Sequence, residues 1–170
     1  MKRLIYTTAL LLMLATVKTH AQTFMDRIHF EFSAGTGMEN KGITPVDFSF
    51  KSQVEFVSIS YLFVTVEDNI SLYKNKEVKT YYNGVSLGGG LGVKLLDSVK
   101  SIHALDVRAK ALSSVGCPSW NRSSYDISLA WYLRSYRFSP VVELGYRFID
   151  SHTSGLSNCG NAFLSIGFRY

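Results

Sequence analysis

The chain has 170 residues, 46% of them hydrophobic and 14% aromatic, with a formal net charge of +5. Three of its 18 basic residues (Lys2, Arg3 and Lys18) fall in the first 21 positions, so the remainder carries only about +2, too little to point to nucleic acid. There is one long apolar run, at the N-terminus, which excludes a helical membrane protein with several spans, and the remaining length suits a single domain.

Lys2 and Arg3 precede the apolar run Leu4 to Val17, and Thr19-His20-Ala21 then sets small residues at the two positions that a signal peptidase reads. The pattern predicts cleavage after Ala21, giving an exported chain of residues 22–170. A retained helix is the rival, but the run is short of the roughly 20 residues a helical span requires. No cysteine lies near the cut, so a lipoprotein anchor is not expected.

Period-2 alternation, the signature of strands with one apolar face, recurs along the rest. A first strand is predicted from Ile28 to Thr36, with Ile28, Phe30, Phe32 and Ala34 on one face and His29, Glu31 and Ser33 on the other. After a polar loop around Met38 to Thr44, a long second strand is expected over Val46 to Val66. Its apolar parity switches near Phe56-Val57, which reads as a β-bulge. Glu67-Asp68-Asn69 is the expected turn, followed by a short strand from Ile70 to about Lys76.

A fourth strand is expected over Tyr81 to Leu96, with Val85, Leu87, Leu91 and Val93 on its apolar face. Asp97 to Ser101 makes a turn into a fifth strand, Ile102 to Val115. The sixth runs from Tyr125 to Arg134, and after a turn at Ser135-Tyr136 the seventh spans about Phe138 to Asp150. The last nine residues, Ala162 to Tyr170, alternate to the end of the chain, with Leu164, Ile166, Phe168 and Tyr170 on the apolar parity.

Short connections near Asp68, Ser98 and Ser135 alternate with polar and mostly longer ones, the arrangement of periplasmic turns and outer loops. The expected fold is all-β: an eight-stranded antiparallel up-and-down transmembrane β-barrel. A soluble sandwich or lipocalin-like barrel also shows such alternation, but buries the apolar parity. The opposite parity carries Glu31, Glu55, Asp106, Arg108, Lys110, Asp126, Arg134, Glu143, Arg147 and Arg169. An Arg or Lys facing lipid at midplane costs about 2–4 kcal/mol, so these side chains are expected inside, neutralising one another and plugging a lumen just wide enough for them. Gly88, Gly90 and Gly92 share that parity and are expected to make room for Tyr132 or Arg134.

On these features, and most specifically on Leu164 to Tyr170, the chain resembles the small eight-stranded outer-membrane barrels of the OmpA/OmpX-like class. The resemblance covers residues 28–170 and implies a fold and an outer-membrane location. Its functions range over envelope integrity, adhesion, host interaction and small-solute passage. The implied partners are outer-membrane lipid and lipopolysaccharide, the assembly machinery that receives the terminal strand through Leu164, Ile166, Phe168 and Tyr170, and an extracellular or envelope partner. No peptidoglycan-binding appendage is expected.

Two further classes remain open. Asp150, His152 and Ser154 would share a face if the seventh strand ran on, and His152-x-Ser154 resembles the His-Ser pair of the outer-membrane lipid A deacylases, with His as base and Ser as nucleophile. That family adds a later catalytic Glu, whereas no acid follows Asp150 here. The bland reading is a polar loop, Ser151 to Asn161. The second class is a barrel for small apolar ligands, with Phe56 and Leu62 lining a pocket. Cys117 and Cys159, in two outer loops of an exported chain, are either bridged or free. No metal site follows from two thiols without a His partner, and Gly88-Gly89-Gly90-Leu91-Gly92 lacks the Lys and helix of a phosphate loop. No cofactor is expected, and His29 and His103 stand on faces of opposite type.

Overall fold

The computed structural model describes residues 27–75, 78–96, 102–134 and 138–170. The expected signal segment and the turns at Asp97 to Ser101 and Ser135-Tyr136 lie outside the described residues, as does Lys76. The eight strands are β1 (Ile28–Gly37), β2 (Ile43–Val57), β3 (Ser60–Asn75), β4 (Val78–Leu96), β5 (His103–Val115), β6 (Arg122–Leu133), β7 (Ser139–Ser151) and β8 (Cys159–Arg169). Each pairs antiparallel with the next, and β8 returns to β1, so the sheet is a closed eight-stranded barrel. Closure leaves no free edge along the barrel wall.

The strand count agrees with the sequence, but one boundary does not. What looked like a single strand from Val46 to Val66 is two strands, β2 and β3, turning at Ser58-Ile59. The parity switch at Phe56-Val57 marks this hairpin, tightened by an irregularity between Glu55 and Val57. Glu67-Asp68-Asn69 is not a turn; it lies within β3, paired with Ser49, Phe48 and Asp47. The reason is chemical. Ser58-Ile59 offers a single serine as a turn residue, whereas Glu-Asp-Asn sets an Asp and an Asn side by side in the middle of a strand. With that change, the β2–β3 hairpin turns at the lower end of the barrel, and the upper end carries the described loops at 38–42, 116–121 and 152–158.

Burial follows the pleat. Successive residues point to opposite faces, and along β3 every second residue from Tyr61 to Ser71 is buried while its neighbours are exposed. The parity that goes inside is the polar one: among the described residues, 21 polar or charged side chains are buried against 12 hydrophobic ones. Glu31 is 0% exposed, whereas its neighbour Phe32 is 61% exposed. A lipocalin-like barrel would have the reverse assignment.

Candidate functional site

An apolar cluster lies towards each end of the barrel interior. At the top, Trp120 from the 116–121 loop packs with Ile43, Ile149 and Cys159, flanked by Tyr73, Tyr82 and Leu156. Its indole Nε1 donates to Ser151 Oγ at 2.9 Å. Loops are tied across the same rim: Lys41 Nζ donates to the Asn158 carbonyl at 2.7 Å. Lys41 and Gly42 both adopt left-handed backbone in the tight turn between Asn40 and Ile43, where glycine at the second position carries no Cβ penalty. At the bottom, Ala104, Ala130, Tyr132 and Val141 form the second cluster.

Between the two clusters lies an ion-pair network in two tiers. In the lower tier, Lys51 Nζ donates to Glu31 at 2.7 Å and to Glu143 at 2.6 Å. The Arg108 guanidinium bridges the same two acids, with Nη2 on Glu31 Oε2 at 2.8 Å and Nη1 on Glu143 Oε2 at 3.0 Å. Its Nε donates to Tyr61 Oη, which in turn donates to Asp106, both at 2.8 Å. In the upper tier, Arg147 reaches Asp126, Asp47 and Glu67, and Lys110 Nζ donates to Glu67 at 2.8 Å. Arg122 caps it, bonded to Asn69 and lying over the Trp120 ring at 4.8 Å.

Within the strands, seven carboxylates (Glu31, Asp47, Glu55, Glu67, Asp106, Asp126, Glu143) face seven cations (Lys51, Lys94, Arg108, Lys110, Arg122, Arg147, Arg169) across this interior. Buried charges are costly unless paired and hydrogen-bonded, and partners taken from several strands satisfy this while fixing the register all round the barrel. Ser128 Oγ also donates to Glu143, at 2.6 Å, so the network aligns side chains from several strands.

Of the residues expected inside, Glu31, Asp106, Arg108, Lys110, Asp126, Glu143, Arg147 and Arg169 are buried there. Glu55 is half-buried at the lower mouth, 2.7 Å from Lys94 and 3.3 Å from both Arg169 and His29. Arg134 stands just past the end of β6, its backbone amide bonded to Ile102. Asp47, Lys51, Gln53, Tyr61, Glu67, Lys94 and Arg122 were not expected in the network. The first five lie in the segment whose hairpin was misplaced, Lys94 lies near the end of β4, and Arg122 opens β6 three residues before the expected start at Tyr125. The glycines of β4 make room for Tyr61 (at Gly92) and Phe63 (at Gly90), not for Tyr132 or Arg134.

The outer-loop expectations change more. β7 ends at Ser151, so the face proposed to join Asp150, His152 and Ser154 does not continue to Ser154, which sits in a turn beside Gly155. The His152 ring lies 3.1 Å from Ser123 Oγ instead, and its backbone amide donates to Asn121. Cys117 and Cys159 are both free thiols. Cys159 belongs to the first rung of β8 opposite Ile149 and is buried, whereas Cys117 is exposed in its loop. Phe56 and Leu62 are outward-facing at the lower end and line no interior pocket. His29 bonds Glu55, and His103 stacks on Trp131 at 5.7 Å. Among the described residues, no group of three or more His, Cys, Asp or Glu is placed to hold a metal.

The sequence matches no family model and no curated protein. Among solved structures, the chain is similar to the Yersinia pestis outer membrane protein Ail, at 13% identity over 84% of this chain and 99% of that one, with a TM-score of 0.46. It is also similar to a de novo designed protein, TMB2.3, at 12% identity over 83% of this chain and 91% of that one, with a TM-score of 0.36.

Proposed function

We propose that this protein is an integral outer-membrane barrel with a side-chain-plugged lumen, serving envelope structure or surface interaction through its upper rim and loops. The observation that carries this reading is the inverted burial. The outward parity presents Phe30, Phe32, Leu62, Val64, Leu129, Leu144, Leu164 and Ile166 around a continuous wall. A soluble monomer exposes apolar patches of about 300–600 Å² at most, and a belt encircling a whole barrel needs lipid as its solvent. Outward aromatics mark both margins, Tyr81, Tyr125 and Tyr146 above and Phe138, Trp131 and Tyr170 below, as interfacial girdles do. The Leu4–Val17 run supports export by a cleaved signal, and the closing strand supports delivery by the outer-membrane assembly machinery.

The plug favours a non-conducting, non-enzymatic barrel whose partners meet its loops. The test combines cell fractionation with heat-modifiable gel migration, planar-bilayer recording and mass analysis of lipid A from the same cells. We expect an outer-membrane protein that migrates differently when unheated, produces no steady conductance, and leaves lipid A unchanged whether or not His152 is replaced by alanine. A soluble periplasmic protein would overturn the reading. A His152-dependent loss of an acyl chain would replace it with a hydrolase, and steady conductance would remove the plug.

A further inference from the structure

The outward wall is not uniform. Where β1 passes between β2 and β8 it carries Ala34, paired with Phe48 on one side and Ile166 on the other. One rung below, Phe32 faces Phe50 and Phe168, and the Phe32 and Phe50 rings lie 4.7 Å apart. A methyl group surrounded by phenyl rings leaves a groove of about 570 Å³, walled by these side chains and floored by small residues of β1, β2 and β8. Asp68 borders it, adjacent to Phe48 across the β2–β3 ladder.

Asp68 is out of character with its surroundings. It is exposed on the outward parity, between Val66 and Ile70 along β3 and between Phe48 and Val85 across it. Among the described residues, no other carboxylate is set among apolar neighbours on that face. Its height explains how it is tolerated. Asp68 stands nine residues above Ile59, which at ~3.3 Å per residue and ~40° of tilt is about 23 Å, against an apolar band about 25 Å tall. Tyr125, nine residues above Arg134, reaches the same level. The carboxylate therefore meets headgroups, and the groove beside it meets an acyl chain.

We propose, building on the outer-membrane reading, that this groove is a binding site for one lipid with a free ammonium headgroup. One of its chains lies over Ala34 between Phe32, Phe48 and Phe168, and its ammonium pairs with Asp68. Charge complementarity selects the headgroup: a phosphate without an amine would meet Asp68 with like charge. Chain packing comes from the walls, since an apolar chain fills a dent that straight side chains leave open.

The experiment is native mass spectrometry of the detergent-extracted full chain, titrated with phosphatidylethanolamine or phosphatidylglycerol of matched acyl chains, with and without Mg²⁺. For the unaltered protein we expect the ethanolamine adduct to exceed the glycerol adduct by about two- to fivefold, the size of a partly exposed ion pair. Asp68→Asn should equalise the two, and Ala34→Phe, which fills the groove, should weaken both. Equal adducts in the unaltered protein, or a preference that survives Asp68→Asn, would overturn the proposal. So would a glycerol preference that appears only with Mg²⁺, which would mean a bridged anionic lipid, or a predominant dimer mass, which would mean a second copy occupies the groove. Heat-modifiable migration of each variant shows that it is folded. A protein that needs no detergent and retains no lipid would instead refute the membrane reading itself.

Discussion

Arg147 joins three carboxylates from three strands, Asp47 of β2, Glu67 of β3 and Asp126 of β6, and no other residue of the upper tier ties so many together. Removing it leaves three acids facing one another with Lys110 as the nearest remaining cation. Breaking a buried pair costs about 3–5 kcal/mol, so Arg147→Met should lower stability by that order in urea titrations of the protein in lipid vesicles. Arg147→Lys should recover only part, because a single ammonium does not span three acceptors set by a planar fork. Unchanged unfolding would mean that the network is ornamental. The two thiols offer a second residue-scale prediction. Cys117 should react with a maleimide in the folded protein within minutes, while Cys159, buried under Trp120, should react only after unfolding. Equal labelling of both would contradict the packing of the upper cluster.

At the scale of elements, β4 illustrates what the sequence discloses and what it withholds. Its alternation of Val85, Leu87 and Leu91 with glycine named the outward face correctly, because bulky outward residues opposite tiny inward ones admit one register. The partners of those glycines were not legible, since Tyr61 and Phe63 come from a strand whose start was misjudged. A Cβ at Gly92 would fall on the Tyr61 ring. Gly92→Val should therefore destabilise by about 1–3 kcal/mol and lower the temperature at which the barrel loses its fast gel migration, whereas Leu91→Val, on the outward face, should not. The β2–β3 hairpin shows the opposite failing: parity was readable throughout, and its reversal located the turn, but Ser58-Ile59 offers only one serine as a turn signal while Glu67 to Asn69 carry a stronger, false one. Local chemistry pointed one way and periodicity the other, and periodicity was right. At the closing seam, Tyr170 exchanges backbone hydrogen bonds with Phe30 at 2.7 and 2.9 Å and sets its ring against Phe138. Tyr170→Ala keeps the backbone pair and loses the ring, so we expect slower outer-membrane insertion with a stability loss of only about 1 kcal/mol; normal insertion would contradict a role for the aromatic in assembly.

For the whole molecule, eight strands of alternating character specify a barrel, but alternation does not by itself say which parity goes inside. The charges decide it. With seven acids and seven bases on one parity, an inside-out assignment would set them all against lipid, or bury the aromatic parity and leave ion pairs in water, where they contribute little. The candidate site was legible only as a class, a charged interior. Its tiers, its two apolar clusters and the seat of His152 against Ser123 depend on contacts between strands far apart in the chain, which no local pattern encodes.

The central claim is that this apolar parity faces lipid and the polar one does not. The chain's two tryptophans divide along that line: Trp131 is outward near the lower margin, and Trp120 is buried beneath the upper loops. The most direct measurement is fluorescence quenching by brominated lipids in reconstituted vesicles, using Trp120→Phe to isolate Trp131 and Trp131→Phe to isolate Trp120. The account predicts that Trp131 is quenched, more by lipids brominated near the headgroup than near the chain end, and that Trp120 is shielded from all of them. Trp131 untouched by any brominated lipid yet open to aqueous iodide would contradict it.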